Sequence, residues 1–138
     1  MADGLEANKR LVREFFEAIY NRGEYHRVRE FLAERYVNHN GLGLSVMGPD
    51  DIARLAEAQR TAFPDLHSTL DELVAEGDRV AVRGHDDATH LGEFMGYPPT
   101  GKPVHFTWLD LFRVEGGRLA ESWVETDVEA MRGQLRGD

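Results

Sequence analysis

Three helices followed by a curved, mostly antiparallel sheet make up the α+β domain that this 138-residue sequence specifies, and three features of the chain lead there. Apolar residues before Pro64 recur at helical spacing. After Leu66 they alternate as strands do, and the turns Glu76-Gly77-Asp78 and Glu115-Gly116-Gly117 fold the alternating stretches back as hairpins. Helices gathered on one side of such a sheet close it into a cone with a pocket, mostly apolar with a few converging polar groups.

The first helix runs from Leu5 to Tyr20, with Leu11, Val12, Phe15, Phe16, Ile19 and Tyr20 inward and Arg10, Arg13, Glu14 and Glu17 outward. Asn21-Arg22-Gly23 ends it, Gly23 being suited to the left-handed cap. A short second helix, Glu24 to Leu32, buries Tyr25, Val28, Phe31 and Leu32. Tyr36-Val37-Asn38-His39-Asn40 then leads into a Gly-rich loop, Gly41 to Gly48, whose Leu42, Leu44, Val46 and Met47 suit a mobile lid. Pro49 in the first turn, with Asp50 and Asp51 at the positive end of the dipole, starts a third helix to Ala62, and Phe63-Pro64-Asp65 stops it. Strands follow over His67–Ala75, Arg79–His90, Val104–Val114 and Arg118–Thr126, with a loop from Gly92 to Lys102. Asp127 caps a closing helix through Leu135.

The length suits one domain over residues 1–138, large enough to bury a core. A net charge of -9 disfavours nucleic acid and anionic membranes as partners. With no cysteine, disulfides, thiolate metal sites and thiol nucleophiles are excluded. Neither a basic-then-apolar leader nor a run of about 20 apolar residues is present, so a cytoplasmic location is expected.

Asp110 is the residue with most chemistry in it. In Val104-His105-Phe106-Thr107-Trp108-Leu109-Asp110-Leu111-Phe112-Arg113, alternation puts its carboxylate in line with Phe106, Trp108 and Phe112. Removing water from a carboxylate costs several kcal/mol unless a partner or a raised pKa relieves it, and a proton-transferring group uses that same environment. On the next strand Glu121 and Trp123 share a face with Leu119 and Glu125, offering a second carboxylate and an aromatic wall. Either acid can fill the role. His39, between two asparagines, and His90, at a strand end, are candidate bases or hydrogen-bond donors. His105 falls on the face opposite Asp110, and His26, His67 and His85 suit the surface. No histidine spacing matches a metal motif, so no metal is expected. Phe15, Phe16, Ile19, Tyr36, Met47, Phe63, Phe94, Trp108 and Trp123 are candidates for an apolar substrate wall.

The phrases Glu14-Phe15-Phe16, Asn21-Arg22-Gly23, Ala62-Phe63-Pro64-Asp65-Leu66, Glu76-Gly77-Asp78-Arg79-Val80-Ala81, Thr89-His90-Leu91-Gly92-Glu93-Phe94, Pro98-Pro99-Thr100-Gly101 and Asp110-Leu111-Phe112-Arg113 resemble the SnoaL-like polyketide cyclases, within the NTF2-like superfamily. The resemblance spans nearly the whole chain. It implies a cone-shaped α+β barrel, a homodimer formed through the sheet, and a small apolar or polycyclic carbonyl ligand. It further implies intramolecular aldol-type ring closure of a polyketide by an aspartate acid/base, with no metal or organic cofactor. Asn38 and Asn40, near where the similar ketosteroid isomerases carry an aspartate base, cannot take a proton and argue against steroid isomerisation. Epoxide hydrolysis by an Asp-Arg-Asp set is the second enzymatic expectation, although no interior arginine and second aspartate stand out. Dehydration or isomerisation of a small carbonyl compound stays open, as does a non-catalytic module that binds an apolar metabolite.

Overall fold

Alternating burial along the strands orients everything that follows. The structure, a computed structural model, describes residues 2–43 and 46–138, with side chains from residue 4 onward. Leu44, assigned above to the lid, lies outside these. Helix α1 (Ala2–Phe15) passes directly into a π-helical turn, Phe16–Asn21, and Gly23 follows with φ 67°. The wider turn leaves carbonyls that the helix does not satisfy. Arg60 satisfies them: its Nη2 donates to the carbonyls of Tyr20, Asn21 and Leu66, and its Nη1 to that of Pro64.

The expected second helix is shorter than its pattern. A 3₁₀ turn, Tyr25–Arg27, and α2 (Val28–Phe31) give way at Leu32 to an extended chain. Strand β1 (Leu32–Asn40) replaces the expected lead into a loop, and β2 (Val46–Met47) pairs with it from inside the Gly-rich segment. Helix α3 (Gly48–Ala62) has its proline in the first turn with Asp50 and Asp51 beside it. Strands β3 (His67–Glu76), β4 (Arg79–Thr89), β5 (Pro103–Glu115) and β6 (Arg118–Thr126) form the antiparallel hairpins. Asp127 Oδ1 accepts from the Ala130 N–H at the start of α4 (Val128–Arg136).

The sheet is curved and unclosed, in the order β2-β1-β6-β5-β4-β3, and β1 runs parallel to β6 where all other pairs are antiparallel. The larger core packs Val12, Phe15, Phe16, Ile19 and Phe31 from the helices against Val80, Val82, Trp108 and Phe112. A smaller core joins Phe63, Leu66, Val104 and Phe106 to Met131 and Leu135 of α4.

One irregularity decides which side chains reach the concave face. In β6 the register jumps between Arg113↔Glu121 and Val114↔Leu119, leaving Ala120 as an extra residue. Leu119 and Ala120 are both buried, and beyond them the alternation is reversed. Ser122, Val124 and Thr126 face inward, and Glu121 and Trp123 face out.

Candidate active site

Along β5 burial alternates without a break from Pro103 to Phe112, and Asp110 sits on the buried side with Phe106, Trp108 and Phe112. It is 7% exposed and its Oδ1 has no hydrogen-bond partner. Burial, and secondarily the charge of Asp86, pushes its carboxyl well above the usual carboxylate range. A cavity of about 130 Å³ opens beside it, lined also by Phe15, Phe16, Tyr36, Phe94 and Trp108. Phe16 and Trp108 stack with ring centroids 5.0 Å apart and planes 4° apart, so the π-helical turn and β5 share one aromatic wall.

Asp86 lines the same cavity and was not found from the sequence. The sign was there: β4 buries Val80, Val82, Gly84 and Ala88, and the same parity carries Asp86 inward. Its neighbour Asp87 points out, and the Asp-Asp pair reads as a solvated stretch. Asp86 Oδ1 accepts from Ser68 Oγ at 2.5 Å and from Trp108 Nε1 at 3.0 Å. Ser68 is held in turn by Asn21, whose Nδ2 donates to the Ser68 carbonyl (3.0 Å) and whose Oδ1 accepts its N–H (2.7 Å). Burial raises the Asp86 carboxyl too, against the pull of the Ser68 and Trp108 bonds.

Trp108 reaches Asp86 because its partner across the strand pair is Gly84. A Cβ at Gly84 would lie 2.5 Å from the indole ring and 2.6 Å from the Thr69 carbonyl, so no larger residue fits while the ring stays in place.

Asn38 and Asn40, together with Tyr36, form the polar wall. Asn38 Nδ2 donates to Ser122 Oγ (2.8 Å), which is 2.5 Å from the Tyr36 hydroxyl, and Asn40 Nδ2 donates to Asn38 Oδ1 (3.0 Å). Burial pushes the Tyr36 phenol up to about 12, against the effect of its Ser122 and Asn38 bonds.

Several expected site residues lie elsewhere. Glu121 is on the convex face, where its carboxylate meets His39 Nε2 at 2.7 Å and Arg113 Nε at 3.1 Å, and these two bonds lower its pKa. The Ala120 bulge put it there. His39 follows because strand β1 turns Tyr36, Asn38 and Asn40 inward and His39 outward, against Trp123 at 5.5 Å. Trp123 lies under the Arg79 guanidinium on that outer surface. Met47 is 61% exposed on the two-residue edge strand. Ile19 and Phe63 are buried in the two cores and do not line the cavity. His90 is wholly buried against Phe63, with its backbone bridging Lys102 and Gly101 across the neck of the 91–100 loop. Among the described residues no three His, Asp or Glu groups gather as a metal site, and no arginine lines the cavity.

A family model described as SnoaL-like polyketide cyclase matches residues 10–135. No curated protein matches the chain. Among solved structures, IdmH from Streptomyces antibioticus, a proposed polyketide cyclase, is 31% identical with a TM-score of 0.80 over 93% of this chain and 97% of its own. AclR from Streptomyces galilaeus, a proposed hydroxylase, is 29% identical with a TM-score of 0.82 over 97% of this chain and 98% of its own. A proposed cyclase from Acidithiobacillus ferrooxidans shares the fold at 24% identity, with a TM-score of 0.85 and 95% of each chain covered.

Proposed function

Because the chain belongs to the SnoaL-like polyketide cyclase family, we propose that it catalyses aldol-type ring closure of a polyketide-like carbonyl compound by acid/base chemistry without a cofactor. The observation that carries this reading is Asp110, a carboxyl buried among aromatics with one oxygen unpartnered beside a cavity. Burial raises its pKa and so favours the protonated form. A protonated Asp110 donates to a carbonyl oxygen and holds the negative charge that develops there as the neighbouring carbon loses its proton.

A cavity of about 130 Å³ has room for one reacting ring; an apolar cavity of roughly 150 Å³ accommodates benzene. A larger substrate therefore keeps its remaining rings outside. The aromatic wall excludes water and fixes the ring's plane, and orientation of this kind contributes strongly to rate in an intramolecular reaction.

The test is turnover of an aromatic β-keto ester bearing a second carbonyl, followed by loss of the open-chain compound. Asp110→Asn should lower kcat by roughly 10²–10⁴-fold with binding retained. Retention of full turnover would overturn the reading, and a wild type that binds the ester without converting it would make the protein a binding module. Epoxide hydrolysis is less well supported, because two aspartates reach the cavity but, among the described residues, no arginine does.

A further inference from the structure

The cavity holds two buried carboxyls, Asp110 and Asp86, that differ in their hydrogen bonding. Asp86 accepts two hydrogen bonds on Oδ1. Among the described residues the side-chain donors to Asp86 are Ser68 and Trp108, both on Oδ1. Asp110 receives none on its buried Oδ1, and its nearest neighbours on the same face of β5 are Trp108 and Phe112. Donors directed at a carboxylate stabilise its charged form, whereas an apolar ring of neighbours stabilises the neutral one. When two titratable groups in one site are pushed apart in this way, their acid and base roles separate.

We propose that Asp86 is the base that removes the proton from the carbon beside the substrate carbonyl, with Ser68 and Trp108 as its positioning residues. This rests on the acid/base reading of the cavity and assigns its second half. The two acids stand on adjacent strands: Asp86 pairs with Phe106, and Asp110 with Val82. Four residues of strand, about 13 Å between backbones, separate them; the Trp108 indole lies between them over Gly84, and both carboxyls line the one cavity. Asp86 Oδ2 takes the proton; the C–H electron pair becomes the enolate double bond, and the carbonyl π pair moves to the oxygen facing Asp110. In ring closure the enolate carbon then attacks the second carbonyl, and the resulting alkoxide takes the proton back from Asp86. Charge and protons balance with no further reactant.

Ser68 has a second constraint that a filler residue would not need. Asn21, the last residue of the π-helical turn, clamps its backbone from both sides, so the hydroxyl that holds Asp86 is fixed by the element that also supplies Phe16 and Tyr20 to the cavity. The titratable groups acting on Asp86 are Tyr20 across the cavity, Asp110 on β5, and His85 and Asp87 beside it on β4.

Two measurements test the assignment. In the ligand-free protein, carbon-13 NMR of the aspartate carboxyls, with Asp86→Asn and Asp110→Asn to identify the signals, should show Asp86 losing its proton at lower pH than Asp110. The reverse order would overturn the proposal. The second follows exchange of the α-protons of cyclohexanone in D₂O by proton NMR. The wild type should accelerate exchange, Asp86→Asn should lose about 100-fold or more, and Ser68→Ala should shift the rise of rate with pH upward while keeping the plateau within several-fold. An Asp86→Asn protein that exchanges at the wild-type rate, or a Ser68→Ala profile that does not move, would overturn the base assignment while leaving Asp110 chemistry standing. A wild type that neither exchanges cyclohexanone nor cyclises the keto ester would instead overturn the function on which the assignment rests.

Discussion

Gly84 and Asp110 show how single residues set the site. Gly84 exists in the middle of a strand, where glycine is unfavourable, because the indole of Trp108 and the Thr69 carbonyl occupy the volume of its missing side chain. Gly84→Ala should destabilise the protein by ~3 kcal/mol and loosen the Trp108 bond to Asp86, checked by denaturant unfolding and by the near-ultraviolet dichroism of tryptophan. Asp110 has the opposite character: it is costly to the fold. Its folded pKa lies above the unfolded value, so the native state binds more protons across that interval and loses stability as pH rises through it. Asp110→Asn abolishes that loss. The melting temperature of the variant relative to wild type should be higher at pH 8 than at pH 4, by a few degrees. The comparison with wild type matters, because Asp50, Asp51 and Asp65, whose carboxyls are lowered by their bonds, contribute the opposite slope in both proteins. An unchanged difference across pH would show that Asp110 is ionised in the fold.

Among the elements, the π-helical turn and the β6 bulge do most to shape the cavity, and neither was legible from periodicity. The helical spacing of Phe15, Phe16, Ile19 and Tyr20 correctly puts an apolar face inward, yet it cannot reveal the widened turn, which depends on a distant donor, Arg60 of α3. Arg60→Met should cost ~2–4 kcal/mol by leaving carbonyls unpaired, with faster amide exchange confined first to residues 16–23. The hairpins, α3, α4 and the inward face of β5 followed from alternation and turn residues because those signals are local. The face of Glu121 and Trp123 did not. One inserted residue, Ala120, reverses every side chain after it, and its presence is defined only by pairing with β5. Strand β1 was missed for a related reason: Tyr36, Asn38 and Asn40 are its inward residues, polar ones bonded to one another and to Ser122, so the strand carries no apolar alternation. Asp86 was hidden by its outward twin Asp87, although the parity of Val80 and Val82 pointed to it.

At the scale of the whole molecule, the reversed strand assembles a surface as well as emptying one from the cavity. Cross-strand registers place Val74, Ala81, Leu111 and Trp123 in a single row across the convex face, one from each of β3, β4, β5 and β6. Val74 is 59% exposed and Leu111 37%, and Leu109 beside the row is 53% exposed. An apolar stripe across the middle of a sheet, bordered by arginines and carboxylates such as Arg83, Arg113 and Glu121, has the composition of an interface centre and its rim. The expected occupant is a second copy, giving a homodimer through the sheet with the two cavities facing away from each other. Sedimentation velocity at micromolar protein should show the dimer, and Leu111→Glu should yield a folded monomer. Each copy carries a net charge of -9, so added salt should tighten the association by screening their repulsion. Leu111 lies next to Asp110 in sequence but on the other side of the sheet, so the monomeric variant should keep its cavity and exchange cyclohexanone within several-fold of wild type. A wild type that sediments as a monomer would leave the row as plain exposed surface, and a Leu111→Glu monomer without exchange activity would mean that pairing of the sheets holds the curvature on which the cavity depends.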